Sequence, residues 1–196
     1  PTAPIWVAGS TRSPEEEQIV LGVYTELCKA FPDLCLVIAP RQIERAEEVC
    51  TALHSVGLKP VRRTQLEAFE GTTRQLVLDT MGELANVYAV ATFAFVGNSF
   101  PPVVKGGGQN LLQPLAHGKP VLFGPQHATI RSEAQMVNEA EVGFCVKSGE
   151  EMFQRAEGLL NNPVLCRDIG QRALELMEAQ RGVSARYAEA VAELVS

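Results

Sequence analysis

Two segments of this chain combine polar residues with glycines where predicted strands give way to predicted helices. They are residues 79–84 (DTMGEL) and residues 106–110 (GGGQN). Backbone N–H groups at the start of a helix are unpaired, the helix dipole adds positive charge there, and glycine lets a ligand approach the main chain. Such positions bind anions and ribose, so both segments are candidates for a nucleotide site.

Each segment also has a purely structural interpretation. In the first, Thr80 would be the N-cap and Glu83 the capping-box acid of a helix over residues 81–90. In the second, residues 106–108 would be a flexible loop before a helix over residues 109–118. Asn110 and Gln113 would then lie one turn apart on one face, where they could hold a ribose. The sequence alone leaves both interpretations of each segment open.

Two further junctions carry groups that suit a phosphate. Residues 9–12 (GSTR) follow the first predicted strand, and Ser10 and Thr11 could bind a phosphate or sugar there or form a plain turn. A helix starting near Arg41 would place Arg41 and Arg45 on one face, and paired guanidiniums bind phosphate or carboxylate. The alternative is a solvated helix start, but a cation in the first turn opposes the helix dipole.

The elements that must position these groups alternate strictly between strand and helix. Strands are predicted at residues 5–8, 34–39, 59–63, 75–78, 92–96, 120–123 and 143–146, and helices at 13–30, 42–56, 81–90, 109–118, 131–140 and from 149 to the end. Ser13 and Glu16 are predicted as N-cap and capping-box acid of the first helix, and Gly182 as a break before an amphipathic stretch at 185–195. This order predicts a doubly wound, Rossmann-like parallel α/β sheet with its site at the carboxyl edge.

Composition excludes several classes of protein. The 196 residues, 46% of them apolar, suit one globular domain, and a net charge of -6 without a basic run argues against nucleic acid. No apolar run is long enough to span a bilayer, so a soluble chain is expected. Five cysteines without a Cys-x-x-Cys pair predict buried thiols in a reducing cytosol. The start at Pro1 suggests either a cut within a longer protein or removal of a methionine.

Several cofactor sites are disfavoured because their motifs are missing. Only three aspartates occur, so no Asp-x-Asp pair exists to carry a divalent cation, and the three histidines lack metal-ligand spacing. The sequence contains neither a P-loop nor a Gly-x-Gly-x-x-Gly after a strand. No metal and no cofactor are therefore expected.

Three motifs taken together resemble the C-terminal half of bacterial 3-deoxy-D-manno-octulosonic acid (Kdo) transferases. They are Pro-Arg-x-x-Glu-Arg at 40–45, the specific string DTMGEL at 79–84 and Gly-Gly-x-Asn at 107–110. The resemblance runs from residue 8 to residue 125. It implies a GT-B glycosyltransferase of two domains, inverting and metal-independent, that moves Kdo from CMP to a lipid A precursor in lipopolysaccharide biosynthesis.

The resemblance also implies a set of residues for the CMP-Kdo donor. The expected contacts are Pro40, Arg41, Met81, Gly82, Glu83, Asn110, Leu111, Leu112 and Gln113, with Ser10, Thr11, Arg45, Gly107 and Gly108 as further contacts. The catalytic base and the lipid A site would lie in an N-terminal domain that this chain does not match. The chain alone is therefore expected to bind nucleotide without transferring sugar, and the whole enzyme to act at the cytoplasmic face of the inner membrane. Residues 185–195 would pack either towards that domain or on this sheet.

The chain departs from the family pattern in two motifs. Gln109 and Gln113 stand in Gly-Gly-Gln-Asn-Leu-Leu-Gln where the family typically has Gly-Gly-His-Asn-Pro-Leu-Glu, and Gln42 stands where histidine is usual. Replacing a carboxylate by an amide weakens a charge-assisted hydrogen bond, which would lower nucleotide affinity about ten-fold. Two alternatives follow: a stand-alone nucleotide-binding module without catalysis, or the domain of a UDP-sugar transferase or epimerase of the GT-B type.

Overall fold

A seven-stranded parallel sheet forms the centre of the molecule. The computed structural model describes residues 3–194, and side chains as far as residue 181. The strand order is β3-β4-β2-β1-β5-β6-β7, and all pairs are parallel. The strands are β1 (Ile5–Thr11), β2 (Cys35–Pro40), β3 (Val61–Arg62), β4 (Gln75–Val77), β5 (Phe93–Val96), β6 (Val121–Phe123) and β7 (Gly143–Cys145). The predicted doubly wound α/β architecture is confirmed.

Helices cover both faces of this sheet. They are α1 (Pro14–Ala30), α2 (Ala46–Ser55), α3 (Leu84–Val87), α4 (Leu112–Leu115), α5 (Arg131–Glu139), α6 (Gly149–Asn161) and α7 (Pro163–Leu194). Alternate residues of β1 enter separate apolar clusters, Trp6 and Ala8 on one face and Val7 on the other. Trp6 stacks on Phe93 with ring centroids 5.5 Å apart. Burying an aromatic or large aliphatic side chain contributes about 1.5–3 kcal/mol, so these two faces supply most of the stability.

Helix α1 begins as the sequence predicted. Ser13 has extended backbone angles, and its hydroxyl accepts a hydrogen bond from the Glu16 N–H at 3.1 Å. Pro14 occupies the first helical position, where its missing N–H costs nothing. The capping-box role predicted for Glu16 is wrong, because its carboxylate binds N–H groups outside the helix.

Of the two helices predicted at 81–90 and 109–118, the first starts late, as α3 followed by a 3₁₀ turn over Tyr88–Val90, and the second is much shorter than expected. Gly82 has a φ of +83°, which no helix accommodates, and α3 begins only at Leu84. In the second case Asn110 Oδ1 accepts the Leu112 N–H at 2.9 Å, so the turn before α4 is closed by a side chain. Short helices leave the carboxyl edge of the sheet lined mainly by loops.

Two other helix boundaries differ from the prediction. A 3₁₀ turn over Ile43–Arg45 precedes α2, so Arg41 lies before the helix and not within its first turn. Helix α7 continues through Gly182 without the predicted break, because an interior glycine costs a helix only about 1 kcal/mol. The predicted packing of residues 185–195 concerns side chains outside the described part of the chain.

The cysteines form no disulfide. Among the described residues all five are free thiols, and the predicted burial is complete only at Cys50, because the other four are half-buried. Burial raises the pKa of every one of these thiols, which keeps them protonated and unreactive. Within residues 3–194 no helix is long and apolar enough to cross a membrane.

Candidate functional site

A cavity of about 360 Å³ lies at the carboxyl ends of β2 and β4, which are neighbours in the sheet. We call it the β2–β4 cavity. Residues that the sequence predicted from three separate segments line it together: Ser10, Pro40, Arg41, Met81 and Gly82. Because the carboxyl edge of a doubly wound sheet is where such domains bind ligands, its position fits the expected site.

The exposed groups of the β2–β4 cavity suit a nucleotide. Met81 lines the cavity and is 79% exposed, so its side chain offers apolar surface to a ligand. Gly82 has no atom within 4 Å of the place where a Cβ would be, so the main chain there is open to a ligand. Arg41 is exposed, and it makes no ion pair among the described side chains. An apolar surface, an open main chain and a free guanidinium together match a base, a ribose and a phosphate.

The polar residues around Met81 hold their own loop in place. The Asp79 carboxylate accepts hydrogen bonds from Thr64 N at 3.0 Å and from Thr64 Oγ1 at 2.6 Å. The Thr80 hydroxyl donates to Glu83, and Glu83 also pairs with Arg63 at 3.3 Å. The alternative in which Thr80 is the N-cap and Glu83 the capping-box acid is therefore wrong, because Glu83 itself stands at the N-cap position of α3 and its side chain makes no capping hydrogen bond. Glu83 faces Arg63 and does not line the cavity.

Gly107 and Gly108 are buried, and their conformation has a packing reason. Both have positive φ, and a Cβ on Gly107 would lie 2.3 Å from the Gln126 carbonyl oxygen. A Cβ on Gly108 would lie 2.5 Å from Ile130. The missing side chains of Gly107 and Gly108 allow residues 126–130 to pack tightly against this segment. Neither glycine lines the β2–β4 cavity.

Residues 110–113, the four predicted contacts that follow these glycines, differ in their exposure to solvent. Asn110 and Gln113 are exposed, whereas Leu111 is fully buried in the core and Leu112 is half-buried against it, and none of the four lines the β2–β4 cavity. A side chain in the core cannot contact a ligand at the surface. Leu111 could therefore contact a ligand only through its main chain.

Arg45 and Thr11 belong to a buried cluster. The Arg45 guanidinium donates to both oxygens of Glu17 at 2.9 and 2.7 Å and to Glu48 at 3.1 Å, and Thr11 Oγ1 donates to Glu17 at 2.9 Å. Burial raises the pKa of Glu17, and Arg45 and Thr11 act in the opposite direction. Hydrogen bonding to Glu17 raises the pKa of Arg45. Bidentate geometry stabilises the ionised pair, so Arg45 is not the free phosphate ligand that the sequence suggested.

The role of Glu16 between the loops after β1 and β5 was not predicted from the sequence. Its buried carboxylate accepts hydrogen bonds from four backbone N–H groups, one after β1 and three after β5. The unpaired donors that the sequence predicted after β1 and β5 are thus partly satisfied by the protein itself. The signal available in the sequence was the run of three glutamates at 15–17, of which helical periodicity buries two.

A larger cavity of about 510 Å³ lies between β7, α6 and α7. Its lining includes Phe144, whose ring centroid is 4.3 Å from the Arg155 guanidinium carbon, and Arg172. None of the residues predicted from the sequence lines it. The β2–β4 cavity instead combines predicted residues from three segments at the carboxyl edge of adjacent strands, and it is therefore the candidate ligand site.

Comparison with known proteins finds relatives that share one name. The chain is 34% identical over 184 residues to the 3-deoxy-D-manno-octulosonic acid transferase of Haemophilus influenzae, covering 93% of this chain and 42% of the relative. It is 29% identical over 189 residues to the enzyme of the same name from Aquifex aeolicus, covering 96% of this chain and 49% of the relative. No protein-family model matches the chain.

A solved structure confirms the fold over nearly the same length. The C-terminal CMP-Kdo binding domain of WaaA from Acinetobacter baumannii superposes with a TM-score of 0.79, at 23% identity and with 90% of each chain covered. The fold is therefore that of a GT-B glycosyltransferase C-terminal domain. The chain spans less than half the length of the two curated relatives, so it corresponds to one part of such proteins.

Proposed function

We propose that this chain, a relative of the Kdo transferases over nearly its whole length, is the donor-binding domain of such an enzyme and binds CMP-Kdo. The observation that carries the proposal is the β2–β4 cavity. It joins Pro40 and Arg41 with Met81 and Gly82, which come from the two motifs on which the resemblance depends. Its volume of about 360 Å³ lies in the range of small-molecule sites.

The groups around the cavity suggest a division of roles. Arg41 would pair with the phosphate of CMP, and Met81 would cover the base or ribose with apolar surface. The open main chain at Gly82 would allow hydrogen bonding to the nucleotide at close range, while Asn110 and Gln113 would complete the site from the β5 side. A guanidinium and main-chain dipoles that stabilise the departing phosphate would make a metal ion unnecessary.

The remaining parts of the reaction would lie elsewhere in the whole protein. We propose that a preceding domain supplies the catalytic base and binds the lipid A precursor at the cytoplasmic face of the inner membrane. Attack by the activated acceptor hydroxyl, opposite the leaving CMP, would invert the configuration at the sugar carbon. The chain alone would then bind the donor without transferring sugar.

Titration calorimetry with CMP, CDP, UMP and UDP tests this function. We expect CMP to bind most tightly, because one phosphate faces Arg41 and the base lies on the Met81 side of the cavity. A preference for the diphosphates would instead favour a UDP-sugar transferase or epimerase. Absence of binding by all four nucleotides would contradict the proposal and favour a module that has lost the nucleotide site.

A further inference from the structure

The Glu16 carboxylate joins the loops that follow two central strands of the sheet. Its Oε2 accepts hydrogen bonds from Arg12 N at 3.1 Å and from Asn98 N at 2.9 Å. Its Oε1 accepts hydrogen bonds from Ser99 N at 2.9 Å and from Phe100 N at 3.1 Å. Only 1% of Glu16 is exposed to solvent, so these four N–H groups replace its hydration shell.

This position is the one where a doubly wound domain commonly binds an external anion. The chain leaves β1 for β2 on one side and later returns to β5 on the other, so the strand order reverses between β1 and β5. Backbone donors converge at such a reversal, and many α/β domains place a ligand phosphate there. In this chain the Glu16 carboxylate binds the backbone donors at that position.

The influence of Glu16 extends along the loop that follows β5. Asn98, whose N–H binds Glu16, accepts from Val104 N at 2.8 Å through its side chain, and its amide donates to Val104 O at 3.1 Å. Its carbonyl oxygen accepts from Gly108 N at 2.6 Å. These bonds link the carboxylate to the backbone immediately before Asn110, so Glu16 restrains the course of residues 98–108.

The same network reaches the loop after β6. Ser99, whose N–H also binds Glu16, accepts from Gly124 N at 2.8 Å through its hydroxyl and from Gln126 N at 2.9 Å through its carbonyl oxygen. Residues 126–130 in turn pack on Gly107 and Gly108. The loops after β1, β5 and β6 are therefore bound to one another around a single buried carboxylate.

We propose that Glu16 is a positioning residue for the donor site: an internal anion that fixes the loop after β5, which leads to Asn110 and Gln113, the two residues proposed above to complete that site. This inference rests on the proposed function, because the consequence for binding is measured with CMP. The fixing of the loop itself is independent of any ligand. The two parts are therefore tested by separate measurements.

The binding measurement compares Glu16→Ala with Glu15→Ala, a change at an exposed residue of the same helical turn. We expect Glu16→Ala to weaken CMP binding about ten-fold, because four charge-assisted hydrogen bonds that order the loop are lost. Excess sodium acetate should restore binding by placing a carboxylate in the vacated space, whereas sodium chloride at the same ionic strength should not. Glu15→Ala should bind CMP like the parent chain.

A second variant, Glu16→Gln, keeps the side-chain volume and remains informative if Glu16→Ala folds poorly. Its amide N–H group faces the N–H donors of the loop, so the hydrogen bonds are weakened. Because the side chain still fills the space, acetate cannot enter and should not restore CMP binding. Hydrogen exchange should accelerate at the amides of Asn98, Ser99 and Phe100 in Glu16→Gln and remain normal in Glu15→Ala.

The outcomes separate the two proposals. If the backbone amides of residues 98–100 exchanged as slowly in Glu16→Gln as in the parent chain, the claim that Glu16 fixes the loop would be wrong, whether or not CMP still bound. Accelerated exchange with unchanged CMP affinity would overturn the role in donor positioning. If the parent chain bound no CMP, the donor role of Glu16 would fail together with the proposed function, while accelerated exchange would still establish the effect on the loop.

Discussion

Arg41→Ala is expected to weaken CMP binding about ten- to a hundred-fold without changing the melting temperature. Arg41 is exposed at the β2–β4 cavity and makes no ion pair among the described side chains, so its removal breaks no contact that stabilises the fold. A charge-assisted hydrogen bond contributes about 1.5–3 kcal/mol, and each 1.4 kcal/mol changes affinity about ten-fold. Calorimetry with CMP measures the affinity, and thermal unfolding without ligand measures stability.

Arg74→Ala provides the matched control for this change. Arg74 lies just before β4, at the opposite end of that strand from the cavity, and pairs with Asp33 at 2.7 Å. Both variants remove one positive charge, so a general electrostatic effect would weaken CMP binding equally in the two. Equal losses, or no loss in Arg41→Ala, would contradict the assignment of Arg41 to the phosphate.

Arg45→Met is expected to lower the free energy of unfolding by about 3 kcal/mol. The Arg45 and Glu17 side chains are only 14% and 3% exposed, so the variant leaves a buried carboxylate without its cation. For a chain of this length that loss corresponds to a fall in melting temperature of about 6–12 °C. Urea denaturation monitored by circular dichroism measures the change directly.

The pH dependence of Arg45→Met follows from the charge on Glu17. Burial already raises the pKa of Glu17, and removing Arg45 removes an interaction that opposes the shift. When the pKa of a carboxyl group is higher in the folded than in the unfolded chain, the group adds stability at pH values below its unfolded-state pKa. This stability is lost as the pH rises through its folded-state pKa. The deficit of Arg45→Met should therefore shrink as pH is lowered from neutrality.

Two further variants test the buried pair. Glu48 also binds Arg45, but its side chain is 66% exposed, so Glu48→Gln should change stability by less than about 1 kcal/mol. The double variant Glu17→Gln/Arg45→Met removes both charges and should recover much of the loss, since the cost arises from the unpaired carboxylate. Equal stabilities of Arg45→Met and Glu48→Gln would show that the pair contributes little.

Local patterns in the sequence predicted the sheet and the start of α1 correctly. Alternation of apolar runs with helical segments indicated a parallel sheet, and Ser13-Pro14 marked the beginning of α1. These features depend on residues close together in the chain. The same local reasoning extended the helix at residues 81–90 too far, because it could not show that Gly82 adopts a left-handed conformation.

Features that depend on distant partners were not predictable in the same way. Glu16 resembled a capping-box acid, but three of its hydrogen-bond partners lie more than 80 residues away in the chain. Arg45 resembled a phosphate ligand, but the fold places it against Glu17, 28 residues earlier. Arg41, Met81 and Gly82 were predicted from their motifs, and the structure brings all three to the β2–β4 cavity.

We propose above that a cytidine monophosphate binds in the β2–β4 cavity. The most direct measurement is a titration of the ¹⁵N-labelled chain with CMP, followed by nuclear magnetic resonance of the backbone amides. We expect saturable shifts concentrated at Ser10, Arg41, Met81 and Gly82. Shifts concentrated at Phe144, Arg155 and Arg172, around the cavity beside β7, would contradict it.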